Sequence, residues 1–248
     1  MGASHRVVTP SSKLAMPEVS IGLYPDVGAT WFLNQIDDGI GLFLGLTGMS
    51  VNASDSVDLG LADYLLLEEQ FEELTTLLRT THWPDNAHRH EIVSDTLSNL
   101  QIFAAKSRPA NQLMPFKMQI ELACSHPDLY MIVQNIKAIN CEEKWLDKAI
   151  ANMVSGSPIT EYICFLQMRH YNKLSLEESF QLELSMSVRC ALLGEFKEGV
   201  RARLIDKDGM PNWKFDSIES VDRETIDTLI TPLWTVDNHP LNGLGASL

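Results

Sequence analysis

From Leu67 onward this 248-residue chain carries almost nothing but helical patterning, and that imbalance limits its fold more than any motif. "EEQFEELTTLLR" puts Phe71, Leu74, Leu77 and Leu78 on one helical face. "HRHEIVSDTLSNLQIFAA" repeats the pattern with Ile92, Val93, Leu97, Leu100 and Phe103. Caps mark the later helix starts. Asn140 precedes "CEEKWLDKAIANMV" with Glu143 at the third position, and Ser157 precedes Pro158 at a first helical position. Ser175 and Glu178 form a capping box for "LEESFQLELSMSVRCALL". Strand candidates occur only before residue 67, in "SHRVVTP", "KLAMP" and "LADYLLL". Between them, "GATWFLNQI" and "DGIGLFLGLTG" read as short helices broken by glycine. "NASDSVDLG" reads as a helix capped by Asn52 and stopped at Gly60. A sheet needs at least about three strands to stand alone. The expected class is therefore mainly α with a few short strands: residues 1–66 of mixed texture, then a helical region over 67–248. No repeat or low-complexity tract interrupts it.

Charge narrows the function classes. The 19 basic and 33 acidic residues leave a formal charge of −14. That sign works against nucleic acid and anionic membrane surfaces, which need a basic footprint. No run approaches the roughly 18 consecutive apolar residues of a membrane span. The N-terminal "MGASHRVVTPSSK" has no apolar signal core. Cys124, Cys141, Cys164 and Cys190 are spread through helix-like segments and read as reduced core thiols. Cytoplasm is the default expectation.

Several constellations reduce to structure. His82, His88 and His90 lie near Asp85 and Glu91, but histidines two apart point to different sides of a helix, so a solvated helix start is the better reading. Met114, Met118 and Met131 fit core filling at helical spacing. The G-x-S-x-G, G-x-x-x-x-G-K-[ST] and G-x-G-x-x-G patterns are absent.

The stretch "AMPEVSIGLYPDVGATWF" is different. It sets Glu18 and Asp26 among Met16, Val19, Ile21, Leu23, Val27, Trp31 and Phe32. A carboxyl in apolar surroundings has its pKa raised towards the range useful for proton transfer. The plainer alternative has Glu18 ending a strand in water and Asp26 capping the next helix. Gly22 and Gly28 let the backbone turn sharply or approach a ligand closely.

"LAMPEVSIGLYPDVGATWFLNQ" followed by "GLFLGLTGMSVNASDSVDLGLADYLL" resembles the second half of the crotonase (enoyl-CoA hydratase/isomerase) core. "MPE…IGLYPDVG" and "FKEGVRARLIDKDGMPNWKF" resemble the 3-hydroxyisobutyryl-CoA hydrolase branch. Hydratases carry glycine where Asp26 stands, and the family has a second glycine where this chain has Ala29, whose methyl either narrows the pocket or is tolerated. The resemblance implies a truncated crotonase-like ββα spiral core over residues 1–66, with the glycine-rich turn and its oxyanion-binding amides lying ahead of the matched region. It implies hydrolysis of a 3-hydroxyacyl-CoA thioester in valine breakdown, little active in this chain alone. Glu18 would activate water or attack the carbonyl, and Asp26 would hold the substrate hydroxyl or serve the leaving thiolate.

No cofactor is implied beyond the coenzyme A of the substrate. Its phosphates need cations, for which Lys197, Arg201, Arg203 and Lys207 are the candidates, with Gly28 beside the acyl group. A solvated helix face is the equal alternative for those cations. Two other readings stay open. One is an enoyl-CoA hydratase or isomerase. The other is a non-catalytic helical module that self-associates through Phe32, Leu42, Phe43 and Leu46, expected to be exposed where an N-terminal half would cover them.

Overall fold

The computed structural model describes residues 2–36, 39–84, 88–139 and 142–245. In chain order come β1 (Val7–Val8), β2 (Lys13–Leu14), α1 (Ala29–Phe32), α2 (Ile40–Thr47), β3 (Val51–Asn52), α3 (Ala53–Asp58) and β4 (Tyr64–Leu65). The helices α4 (Gln70–Thr80), α5 (Arg89–Ala104), α6 (Lys117–Cys124), α7 (Leu129–Lys137) and α8 (Lys144–Val154) follow. The chain closes with α9 (Pro158–Arg169), α10 (Leu176–Leu193), α11 (Glu195–Val200) and α12 (Arg223–Ile230). A 3-10 turn, Glu18–Ile21, precedes α1, and a π-helical turn, Arg201–Ile205, continues α11. Backbone contacts gather these elements into two interleaved units, Met1–Leu14 with Ser50–Lys117 and Ala15–Met49 with Met118–Leu248. This partition follows contacts, whereas residue 66 marks only a change of sequence texture.

In the first unit β1 pairs in parallel with β4, Val7 opposite Tyr64, and β2 runs antiparallel to β3, Lys13 opposite Asn52. The three strand readings hold, each cut to two residues. β3 was unforeseen, since Asn52 both ends that strand and caps α3 by accepting the Asp55 N–H. The Asp55 side chain, fully buried, in turn accepts the N–H groups of Gln112, Leu113 and Met114 at 2.9, 2.9 and 3.1 Å. A distant carboxylate thus supplies acceptors for peptide donors that no helix pairs. Leu66, Leu97 and Leu100 form the core between α4 and α5, with Leu74 and Val93 packed against it. The apolar stripes are less complete than their periodicity implies. Phe71 and Leu77 remain exposed, and Phe103 is 72% exposed because the buried row runs Leu97, Leu100, Ala104. His82, His88 and His90 are exposed, whereas Asp85 lies outside the described residues.

The second unit centres on a cluster of Tyr24, Ile159, Ile163, Met186, Cys190, Ile226 and Leu229. Every residue of α2 is buried, with α8 and α9 packed against it. This corrects the expected association surface: Leu42, Phe43 and Leu46 are core residues and Phe32 is half-buried. A helix apolar on all sides needs cover on all sides, and this unit provides it from its own helices. Ser157 caps α9, with Pro158 in its first turn, and the Ser175–Glu178 capping box is formed. α8 instead begins at Lys144 with Glu143 in the cap position, and Asn140 and Cys141 lie outside the described residues. Cys124, Cys164 and Cys190 are free and buried. Among the described residues, no helix is long and apolar enough to cross a membrane.

α11 crosses the Glu18–Ile21 turn at Gly199, where an added Cβ would stand 2.2 Å from the carbonyl carbon and oxygen of Ile21. Neither backbone can give way alone. Gly199→Ala is therefore expected to lower the free energy of unfolding by about 2 kcal/mol through overpacking, read from urea denaturation; an unchanged midpoint would refute this close crossing.

Candidate active site: an acid-bearing turn and its clamps

Glu18 opens the 3-10 turn after Pro17, and Gly22, left-handed at φ 69°, ends it by donating its N–H to the Glu18 carbonyl. The turn is held from two sides. The Ser157 N–H donates to the Val19 carbonyl at 3.0 Å. A Cβ on Gly22 would approach the Glu195 carbonyl oxygen to 2.5 Å, so only glycine fits there. The Glu195 carboxylate accepts the Ser157 hydroxyl and, at 2.6 Å, the Lys214 N–H, joining α9, α11 and the following loop. Glu18 is accordingly not a strand residue in water. Its Oε2 is buried and, among the described residues, has no hydrogen-bond partner. Burial pushes its carboxyl up to about 7, and the nearby charge of Asp26 adds to the rise.

Asp26 sits in a turn whose next two residues are both left-handed, Val27 at φ 54° and Gly28 at φ 85°. Such a φ is strained for a β-branched residue, and Val27 nonetheless presents its side chain 71% exposed. Gly28 occupies the cap position of α1 and has no side chain to pair the helix's first donors. Glu183 of α10 does so from 155 residues away. Its Oε2 accepts the Gly28 N–H at 2.6 Å, and its Oε1 accepts the Thr30 N–H at 2.9 Å and the Thr30 hydroxyl at 2.7 Å. Gln167 of α9 completes the restraint, donating to the Pro25 carbonyl and to Thr30 Oγ1, both at 2.8 Å. Asp26 therefore does not cap α1. Its half-buried carboxyl is pushed up by burial. Ala29 is fully buried inside α1, which has room for its methyl.

Lys197, Arg201 and Arg203 lie along α11 and its π-helical extension, and Lys207 follows it. Arg201 is surrounded: its guanidinium donates to Glu198, Asp206, Asp208 and the Met210 carbonyl. Arg203 donates to the Ser155 hydroxyl at 3.2 Å. Lys197 and Lys207 are exposed. The structure thus brings Glu18, Asp26 and Gly28 into one electrostatically linked turn region, with α11 crossing beside it. Of the cations, it gives Arg201 to neighbouring acids.

Glu183, Gln167 and Glu195 went unnoticed in the sequence. One signal was there for Glu183: Ser179, Glu183, Met186 and Cys190 recur at the spacing of a core-facing row, so an acid sits where a hydrophobe belongs. Its partner 155 residues upstream leaves no local trace.

Known proteins resemble this chain over nearly its whole length. A profile of the enoyl-CoA hydratase/isomerase family matches residues 1–230. The 3-hydroxyisobutyryl-CoA hydrolase, mitochondrial, of Xenopus laevis is 33% identical across 94% of this chain and 59% of its own length. The Arabidopsis thaliana small ribosomal subunit protein mS47 is 27% identical over 94% of this chain and 57% of its own. Among solved structures, an enoyl-CoA hydratase from Rhodobacter sphaeroides 2.4.1 superposes with a TM-score of 0.75 at 28% identity, covering 93% of this chain and 63% of its own. The chain thus spans about 59% of the Xenopus relative's length. The hydrolase relatives from frog, chicken and human are mitochondrial proteins, which overturns the cytoplasmic expectation.

Two outcomes follow from this geometry. Glu183→Ala strands the Gly28 and Thr30 donors and is expected to cost roughly 3 kcal/mol of stability, with Glu183→Gln costing less; equal stability of all three proteins in urea would refute the clamp. The Glu18 carboxyl holds its proton more tightly folded than unfolded. Its contribution is full below about 4.5, its ordinary value, and is lost as pH rises towards about 7. Glu18→Gln should flatten that fall in thermal unfolding between those pH values, and a fall of undiminished slope would contradict it.

Proposed function

Because the chain belongs to the enoyl-CoA hydratase/isomerase family, we propose that it carries the acid half of a coenzyme A thioesterase site of the 3-hydroxyisobutyryl-CoA hydrolase type. One observation carries the reading: a buried carboxyl with an unpaired oxygen, raised to about 7 beside a second raised carboxyl. Near neutral pH such a group is present in both protonation states, as a proton-transfer residue must be. In hydrolysis, a water adds to the thioester carbonyl, the carbon–sulfur bond breaks, and the thiolate leaves with a proton. Glu18 takes the proton from water or attacks the carbonyl itself. Asp26, one turn away, holds the substrate hydroxyl or returns a proton to the thiolate. The rigid Pro25–Thr30 turn keeps Asp26 in place while Val27 offers an apolar contact to the acyl chain. Lys197, Arg203 and Lys207 are the remaining cations for the phosphates, and the reaction needs no cofactor beyond the coenzyme A of the substrate.

Acyl transfer also needs donors aimed at the developing oxyanion, and losing one costs on the order of 100- to 1,000-fold. By resemblance those amides precede the matched region, so slow thiol release is expected from the 248 residues alone. The experiment measures thiol release from 3-hydroxyisobutyryl-CoA and hydration of crotonyl-CoA. It uses this chain and the same chain preceded by the N-terminal part of the Xenopus relative. The extended chain should release thiol at least about 100-fold faster, and Glu18→Gln or Asp26→Asn should remove that gain. Dominant hydration of crotonyl-CoA, or thiol release indifferent to Glu18→Gln, would overturn the proposal. No activity of either kind in the extended chain would favour a binding role, the reading for which the mS47 likeness speaks.

A further inference from the structure

One cavity of the second unit is lined by neither acid of the pair. It opens between α7, the turn joining α8 to α9, and the loop of residues 211–219, with a volume of about 480 Å3. That is the size range of small-molecule sites. Its floor is apolar, from Val133, Met153 and Ile218, and one wall is the Trp213 ring, fixed by a 3.0 Å hydrogen bond from Nε1 to the Ser155 carbonyl.

Glu161, in the first turn of α9, lines this cavity and is only 4% exposed. Among the described residues it accepts no hydrogen bond. Its situation departs from that of the other buried acids. Asp55, Glu183 and Glu195 each receive at least one backbone N–H, and a carboxylate buried without a partner is costly. The charged groups around it are Lys137 from α7 and Asp216 and Glu219 from the loop, two acids to one base. Lys137 is exposed, its charge shared between Glu161 and Glu219. Such a site repels phosphates and carboxylates. No group of three metal-ligating side chains occurs among the described residues, so a single floor carboxylate suits a monovalent organic cation better than a metal. Tyr130 and Trp213 add aromatic rings to the lining, and aromatic faces attract a desolvated cation.

We propose that this cavity binds a small organic ammonium ion, its nitrogen on the Glu161 carboxylate and its apolar body against Tyr130 and Trp213. The site abuts the acid-bearing turn through Trp213 and Gly156 but contains neither of its acids, and it does not depend on the thioesterase reading. Unoccupied, the Glu161 carboxyl is pushed up to about 8 by burial and is mostly protonated at neutral pH. A bound cation favours the carboxylate, so the proton leaves for the buffer as the complex forms.

The probe is phenethylammonium chloride, titrated calorimetrically at pH 7 against 2-phenylethanol and phenylacetate, in two buffers of different ionisation enthalpy. The ammonium should bind about tenfold or more tightly than the alcohol, phenylacetate should not bind, and the heat should change with the buffer. Glu161→Gln should bring the ammonium to the alcohol's affinity. Lys137→Met, an exposed change that leaves the floor intact, should strengthen ammonium binding about threefold. Equal affinities for ammonium and alcohol, no binding of either, or a preference that survives Glu161→Gln would overturn the assignment. If Glu161→Gln does not fold, an unchanged affinity in Lys137→Met would do so.

Discussion

Peptide N–H groups at the start of a buried segment must find acceptors, and this chain meets that need with carboxylates from distant segments. Asp55 serves residues 112–114 in one unit, while Glu183 serves Gly28 and Thr30 and Glu195 serves Lys214 in the other. Each pairing costs the desolvation of an acid and recovers it through charge-assisted hydrogen bonds. The Glu183 pairing matters most for chemistry. It holds two consecutive left-handed residues, one of them the unfavourable Val27, and so fixes where Asp26 lies relative to Glu18. A looser turn would let Val27 relax and carry Asp26 with it.

The C-terminal signature "FKEGVRARLIDKDGMPNWKF" acquires a mechanical meaning from the same constraint. Its glycine lets α11 touch the Glu18 turn, and Arg201 gathers three acids and a carbonyl into a closed knot. Trp213 lies against Gly22 and ties the loop to Ser155. The segment therefore works chiefly as a buttress for the acid-bearing turn. Of the cations that drew attention to it, Arg201 is paired within the segment and Arg203 donates to Ser155, leaving Lys197 and Lys207 facing outward.

What could be read beforehand was what is local. Asn52, Ser157, and Ser175 with Glu178 follow from spacing of a few residues and took their expected forms, whereas α2 runs through Gly41 and Gly45 instead of being broken by them. Errors arose where a property depends on what lies opposite. Phe103 obeys the helical period but loses its burial to Ala104, and Leu42, Phe43 and Leu46 are buried by helices α8 and α9, far along the chain. In the site, the apolar surroundings of Glu18 and Asp26 were legible and their raised pKa values agree with that reading. The clamps on them were not, because Glu183, Gln167 and Glu195 reach the turn only through the tertiary fold.

The sequence by itself determined the helical class, the caps at Asn52, Ser157 and Ser175, and the family, since each is written in contiguous residues or in their period. Only the tertiary structure decided that Glu18 keeps a buried oxygen without a partner among the described residues, that Arg201 is ion-paired, and that Glu161 lines a cavity. Those outcomes depend on desolvation and on which side chains meet: Arg201 finds its acids within its own segment, whereas the Glu18 turn is closed by α9 and α11 from far along the chain.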